Sequence, residues 1–324
     1  MTIDLRTVRA EEADLRLDRW FRRHYPALTQ GALQKMLRTG QVRVDGKRAE
    51  ANTRLTAGQA IRIPPLPEGP APVAAEPKPV NEQQARQLQR QVIYRDESVI
   101  VLDKPHGLPV QGGPGITHHL DGLLDALRFG APDRPRLVHR LDRDTSGVLL
   151  LARTPAAAAS LASAFRSRDA KKTYWAVVVG RPHPLEGRID MPLAKLGGPR
   201  GERTAPAEPG EGTHAITDYR VVDSALKKAA LLEMNPLTGR THQLRVHAAA
   251  ALGTPILGDG KYGGAAAHLE GLSGSLHLHA RAISLPHPDG GVLEAAAGLP
   301  PHMEETFTFF GFDKPKTPPA RWRR

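Results

Sequence analysis

Near the N-terminus apolar residues repeat with the period of a helix. Leu15, Leu17, Trp20 and Phe21 mark one amphipathic stretch, interrupted at Pro26. Leu33, Met36 and Leu37 mark a second, with Thr29 placed to cap its first turn and Gly40 placed where a helix ends in a left-handed residue. Val42-Arg43-Val44-Asp45-Gly46-Lys47 then reads as strand, Asp-Gly turn and return strand. These elements predict a compact unit ending near Ile63. Residues 64–79 contain seven prolines, which predicts a semi-rigid, extended linker. Residues 81–91 fit either a short helix or more of that linker.

From Val92 the pattern changes to that of buried strands. Val92-Ile93-Tyr94 and Val99 to Leu102 flank an Asp-Glu-Ser turn, and the apolar run Val148 to Leu151 lies between Gly147 and Arg153. An Ala-rich helix is expected from Pro155 to about Phe165, then a strand through Tyr174 to Val179. Lys195 to Thr213, rich in Gly, Pro and charge, predicts a mobile loop. Thr241 can cap a helix running to about Leu252, with Leu244, Ala248 and Leu252 on its buried face and Gly253 and Pro255 ending it. The expected division is 1–63, a linker over 64–91, a larger domain over 92–313, and a disordered basic tail over 314–324.

Composition narrows the class. The chain has 324 residues, 40% apolar and 24% charged, enough for more than one globular domain. No apolar run is long enough to span a bilayer, and the start of the chain lacks a signal-peptide core, so a cytoplasmic protein is expected. Without cysteine, thiolate catalysis and zinc–cysteine sites are excluded. A formal charge of +11 and a pI near 10.1 point to a polyanionic partner. Aromatics at 5% imply that phosphate contacts dominate and that any base stacking rests on one or two residues.

The candidate chemistry lies in the polar head before the apolar run, His139-Arg140-Leu141-Asp142-Arg143-Asp144-Thr145-Ser146-Gly147. In an extended chain Arg140 and Asp142 face one side and Leu141 faces the core. Asp142 and Asp144, two apart in one loop, are poorly spaced to straddle a sugar as the carboxylate pair of a glycoside hydrolase does. Arg245 falls in a helix's first turn, an unfavourable end for a cation, so a role other than helix stability is expected. His242 and His247 are five apart with no helical zinc pattern, so no metal is expected. Lys104 suits either a phosphate contact or a structural place at a sheet edge.

The phrase His-Arg-Leu-Asp-x-x-Thr-Ser-Gly resembles the signature of the RluA-type pseudouridine synthases, which isomerise uridine in RNA. Lys104-Pro105-His106-Gly107, Lys172-Thr173-Tyr174, Gly239-Arg240-Thr241-His242-Gln243-Leu244-Arg245-Val246-His247 and Gly258 to Gly263 resemble that family's other blocks, in family order. The wording of the central block is most similar to the large-subunit synthase C branch. Arg16-Leu17-Asp18-Arg19-Trp20 and Gly40 to Gly46 are similar to the S4 RNA-binding domain, although Thr29-Gln30-Gly31 replaces the usual Ser-Arg pair.

The resemblance implies an α+β catalytic domain with a mixed, largely antiparallel sheet and a central cleft, preceded by a small α+β S4 unit. It implies Asp142 as the catalytic carboxylate, Arg245 as its ion-pair partner, and Tyr174 stacked on the flipped uracil and assisting removal of the C5 proton. Arg140 would fill the space the base leaves, and Leu244 would line the uracil pocket. Lys35, Arg38, Arg43 and Lys47 would meet RNA from the S4 unit. The reaction needs no cofactor and no metal. Large-subunit (23S) ribosomal RNA, or its precursor, is the expected partner, with a monomer and no protein partner implied. Two rivals remain at this point: a non-catalytic S4-type RNA-binding or ribosome-assembly factor, and the same isomerisation on tRNA.

Overall fold

A computed structural model of the chain describes residues 4–66, 81–113, 115–197, 203–208, 210–314 and 316–323. The chain divides into two compact units, residues 1–79 and 80–324, each with its own core.

The first unit holds β1 (Asp4–Thr7), α1 (Leu17–His24), α2 (Gln30–Arg38), β2 (Arg43–Val44), β3 (Lys47–Arg48) and β4 (Ala60–Ile63). The sheet order is β1-β4-β2-β3. Leu17, Trp20, Phe21, Leu33 and Leu37 are buried against Val42, Val44, Ile61 and Ile63, so the helical faces read from the sequence do meet the sheet. The Thr29 side chain accepts from the Ala32 amide at 3.3 Å, and Gly40 ends the helix at φ +71°. Asp45 and Gly46 both take positive φ, 49° and 74°, as a tight two-residue hairpin turn requires. Glu12, 2% exposed, accepts from the Arg9 amide at 3.0 Å and from Trp20 Nε1 at 3.1 Å, and lies 2.6 Å from His24 Nε2. Burial disfavours its charge, but these contacts outweigh that and hold its pKa down at about 2.

The second unit begins before Val92. Helix α3 (Glu82–Gln89), capped by Asn81, buries Leu88 in the cluster that contains Ile100 and Leu102. Gln89 Nε2 donates to the Ala126 carbonyl at 2.7 Å, so this part of the expected linker is packed structure. Residues 67–80, the rest of that linker, lie outside the described residues.

Beyond α3 come β5 (Val92–Arg95), β6 (Val99–Lys104), α4 (Leu120–Leu123), β7 (Arg136–Leu137), β8 (Ser146–Ala152), α5 (Pro155–Ser167), β9 (Lys171–Val179) and β10 (Glu186–Asp190). They are followed by β11 (Leu193–Leu196), β12 (Arg203–Pro206), β13 (Ile216–Ala225), β14 (Ala229–Pro236), α6 (Gln243–Val246), β15 (Leu278–Pro286), β16 (Val292–Ala296), α7 (Pro301–Phe310) and β17 (Arg321–Arg323). The main sheet runs β10-β13-β14-β9-β15-β8-β6-β5, with β16 and β17 continuing from β15 and β7 on β8. Among the described strands only the β15–β8 pairing is parallel, so the sheet is mixed and largely antiparallel, and the fold is α+β. All seven residues of β8 are buried, as an uninterrupted apolar run between other strands requires. Gly147 sits at φ +104°, and a Cβ there would collide with the Ala280 backbone, so glycine lets β8 and β15 close directly behind the Asp142 loop.

Three local expectations are corrected. The Lys195–Thr213 region is not simply a loop: β11 and β12 pair antiparallel through its described part. The helix after Thr241 is irregular, with α over Gln243–Val246, a widened π turn over His247–Ala251, and His242 at φ 56° rather than Thr241 at its entrance. Gln243 explains the entry: its side chain accepts from the Arg240 amide (3.1 Å) and the Thr238 hydroxyl (2.7 Å), and donates to the Ile216 carbonyl (2.9 Å). The described end of the C-terminal tail is packed structure rather than a disordered segment. Residues 321–323 pair with β16, Trp322 stacks on His287 at 4.1 Å and donates to the Gly290 carbonyl at 2.8 Å, and Arg321 and Arg323 reach Glu294.

Candidate active site

Rigid neighbours hold the loop from His139 to Thr145 on both sides. His139 Nε2 accepts from the Leu150 amide at 2.9 Å, and the ring stacks on Phe165. Burial pushes the His139 pKa down to about 3, so the ring stays neutral and can accept. Lys104, 1% exposed, donates to the carbonyls of Pro105, Leu108 and Arg143, each at 2.9 Å. Of its two readings the structural one fits: it ties the Lys-Pro turn to the loop. Burial pulls its pKa down to about 8, against the opposing charges of Asp144 and Asp142.

The loop opens on a cleft of about 960 Å³ lined by residues that include His106, Gln111, Arg140, Asp142, His242, Arg245 and Lys261. A smaller cavity of about 140 Å³ adjoins it, lined by Arg140, Asp142, Lys172, Tyr174, Leu244 and neighbours. Asp142 lies on the wall of both, and so do Arg140, His242 and Arg245. Leu141 between the two polar residues is buried, as strand alternation predicts.

Arg140, Asp142, Tyr174, Leu244 and Arg245 are therefore brought together. The expected ion pair is not. Arg245 Nε and an end nitrogen donate to the two oxygens of Asp259 at 2.8 and 2.6 Å, and both side chains are buried. A guanidinium satisfied in this two-pronged way has its strongest contact elsewhere, and Asp142 feels it only as a nearby charge. The close side-chain nitrogen beside Asp142 is that of His242, with Nε2 3.8 Å from Oδ2. His242 Nδ1 in turn lies 2.6 Å from the Tyr262 hydroxyl. Burial raises the Tyr262 pKa and lowers that of His242, so the phenol keeps its proton and the imidazole stays neutral. Tyr262 then donates to Nδ1, which leaves the His242 N–H at Nε2, facing Asp142.

Tyr174 projects from β9 into the smaller cavity. Burial, reinforced by the Asp142 charge, pushes its phenol pKa up, so the ring is a neutral stacking surface and a poor base as it stands. Asp144 is bound at 2.9 Å by its neighbour Arg143, and Arg143 rather than burial decides its lowered pKa. In the first unit, Lys35 and Arg38 on α2 and Lys47 on β3 are exposed, whereas Arg43 is half-buried and donates to the carbonyls of Gly40 (3.2 Å) and Gly46 (3.0 Å). Arg43 thus braces the hairpin.

The sequence suggests His242 only as a metal ligand, which its spacing argues against, and assigns no role to Asp259, Tyr262 or Lys172. The run Gly258-Asp259-Gly260-Lys261-Tyr262-Gly263 was the available signal, since a charged, aromatic, Gly-rich loop suits a site wall. Gly258 at φ +81° packs so close to the Ser275 backbone that a Cβ would not fit, which fixes that loop at the cleft. Among the described residues no His, Asp and Glu cluster could hold a metal ion, and no helix is long and apolar enough to cross a membrane.

Comparison with known proteins agrees with this architecture. Residues 98–250 match the RNA pseudouridylate synthase family, and residues 15–61 match the S4 domain. A protein of Rickettsia bellii described as ribosomal large subunit pseudouridine synthase C is 39% identical over 76% of this chain and 82% of its own length. The mitochondrial RNA pseudouridine synthase 4 of Arabidopsis thaliana is 41% identical over 76% of this chain, a match spanning 59% of that longer protein. The solved structure of human RNA pseudouridylate synthase domain containing 4 superposes with a TM-score of 0.60 at 29% identity, covering 72% of this chain and 97% of that one. The chain belongs to the RNA pseudouridylate synthase family, the enzymes that isomerise uridine in RNA, and carries an S4 domain ahead of its synthase fold.

Proposed function

We propose that this chain converts uridines of large-subunit (23S) ribosomal RNA to pseudouridine, as a monomer in the cytoplasm and with no cofactor. The observation that carries the reading is the position of Asp142 on the wall shared by a cleft of about 960 Å³ and a small cavity walled by Tyr174 and Leu244. The isomerisation breaks the bond between N1 and C1′, turns the uracil and joins C5 to C1′. It neither gains nor loses atoms, and it needs an ionised carboxylate beside the everted nucleoside.

In this reading Asp142 is that carboxylate, Tyr174 stacks on the uracil, and Leu244 closes the pocket. Arg140 occupies the gap left in the RNA stack. Arg245, through Asp259, holds the cleft wall and adds positive field rather than a direct pair. Lys35, Arg38 and Lys47 contact phosphates from the S4 unit, and Arg43 supports them. The ribosomal substrate is supported by the description of the rickettsial relatives as large-subunit synthases and by the S4 match.

The test is to map pseudouridine after incubating the full chain with unmodified large-subunit rRNA, with tRNA transcripts as the comparison. The wild type should modify discrete uridines of the rRNA, and Asp142→Asn should bind the RNA equally and form no product. Product from Asp142→Asn would overturn the assignment of Asp142, and modification confined to tRNA would overturn the substrate.

A further inference from the structure

Two lysines lie inside the catalytic unit, and they are treated in opposite ways. Lys104 is surrounded by three backbone carbonyls that satisfy its ammonium. Lys172 is half-buried in the smaller cavity, and among the described residues no acceptor or acidic side chain pairs with it. Asp142 lines the same cavity, but no hydrogen bond or ion pair joins it to Lys172, and its close side-chain contact is His242. Burial, and then repulsion by the Arg168 charge, lower the Lys172 pKa.

A desolvated cation beside another cation is unfavourable until an anion arrives. Strand β9 places Lys172 two residues before Tyr174, so both side chains leave the same face, about 6.6 Å apart along the strand. That spacing is comparable with the separation between a stacked base and its own phosphate. Outside the cavity, Arg166, Arg168 and Lys171 are exposed around the end of α5 and the start of β9, and none has an acidic partner among the described residues.

We propose that Lys172 is a phosphodiester subsite: it binds a backbone phosphate of the everted nucleotide whose base stacks on Tyr174, and Arg168 receives the adjoining phosphate as the strand leaves the cleft. The proposal rests on the RNA-modifying function above. It adds a point within the catalytic unit itself at which the strand is gripped beside the reacting nucleotide.

The test is the salt dependence of RNA binding by the full chain, measured with a fluorescent uridine-rich single strand, for the wild type, Lys172→Met and Lys172→Arg. Lys172→Met removes the charge and keeps the volume, and its circular dichroism and melting should match the wild type. Should it fail to fold, Lys172→Gln takes its place. Expected are about tenfold weaker binding and a slope of log K against log [KCl] shallower by about 0.7 for one lost contact to single-stranded RNA. Lys172→Arg should keep the wild-type slope, and on large-subunit rRNA the loss in Lys172→Met should fall mainly on KM. An unchanged slope in the charge-removing variant would overturn the proposal, as would a fall in kcat alone. A wild type that binds and shows these slopes but forms no pseudouridine would instead overturn the proposed function and leave the phosphate subsite standing.

Discussion

Arg245 and Asp259 form a buried, two-pronged ion pair, with donor–acceptor distances of 2.8 and 2.6 Å, at the wall of the cleft that holds Asp142. Asp259 also accepts from the amides of Lys261 and Tyr262, both at 3.2 Å, so the pair fixes the Gly-rich loop as well as the guanidinium. Its direct effect is therefore on the shape of the wall.

Breaking this pair from the acidic side leaves a buried cation without compensation. Asp259→Asn should lower stability by about 3 kcal/mol, the usual scale for removing one member of a buried pair. Urea unfolding measures it. A normal unfolding midpoint with lost activity would show that the pair serves the reaction and not the fold.

His242 offers its Nε2 hydrogen to Asp142 only while Tyr262 holds Nδ1. Tyr262→Phe frees the tautomer, and His242→Ala removes the donor. Each should lower kcat by up to about a hundredfold through misplacement of the carboxylate, with RNA affinity little changed. His242→Gln places an amide N–H near the same position and should recover part of the loss. Equal activity in all three variants would remove His242 from the site.

Asp103 on β6 has its pKa raised to about 6, because burial outweighs the Arg281 charge and the Gly298 backbone contact. An acid whose folded pKa is raised favours folding most below its unfolded pKa of about 3.8. That contribution is lost as pH rises through about 6. The wild type is thus penalised at neutral pH by about 2 to 3 kcal/mol relative to the protonated form. Asp103→Asn should stabilise the chain at pH 7.5 and lose that advantage at pH 4. Urea unfolding at both pH values decides it, and the same shift at both would show that ionisation is not the cause.

Glu12 titrates in the opposite direction. Its folded pKa of about 2 lies below the model-compound value of 4.5, so its stabilisation is present above about 4.5 and is lost as pH falls through about 2. Glu12→Gln should destabilise the first unit by about 1 to 3 kcal/mol at pH 7, since buried donors from Trp20 and Arg9 lose a charged acceptor. Fluorescence of Trp20 during unfolding reports it, and the gap between variant and wild type should narrow below pH 3. A gap that stays constant with pH would rule out the carboxylate charge as the source.

Much of this molecule was legible along the chain because the relevant physics is local. The spacing of Leu33, Met36 and Leu37, the Thr29 cap and the Asp45-Gly46 turn depend on residues within a few positions of one another. The continuous apolar run of β8 could only be a strand covered on both faces, and alternation alone placed Leu141 inside and Asp142 outside. The tail was misread because its composition is that of a solvated segment. Trp322 finds His287 across the sheet, a contact that no local pattern carries.

The sequence by itself determined which side chains could do chemistry, the order of their motifs, and that a carboxylate would stand at the mouth of a buried strand. The tertiary structure decided who meets whom. Arg245 had two carboxylates, Asp142 and Asp259, within reach of its helix, and only the closing of the Gly258 loop against Ser275 selected the second. The same closure put Tyr262 behind His242, and the pairing of β9 with its neighbours carried Lys172 into a cavity where, among the described residues, no acidic side chain pairs with it. Pairing energies depend on distance and burial after folding, and neither is encoded in spacing along a chain.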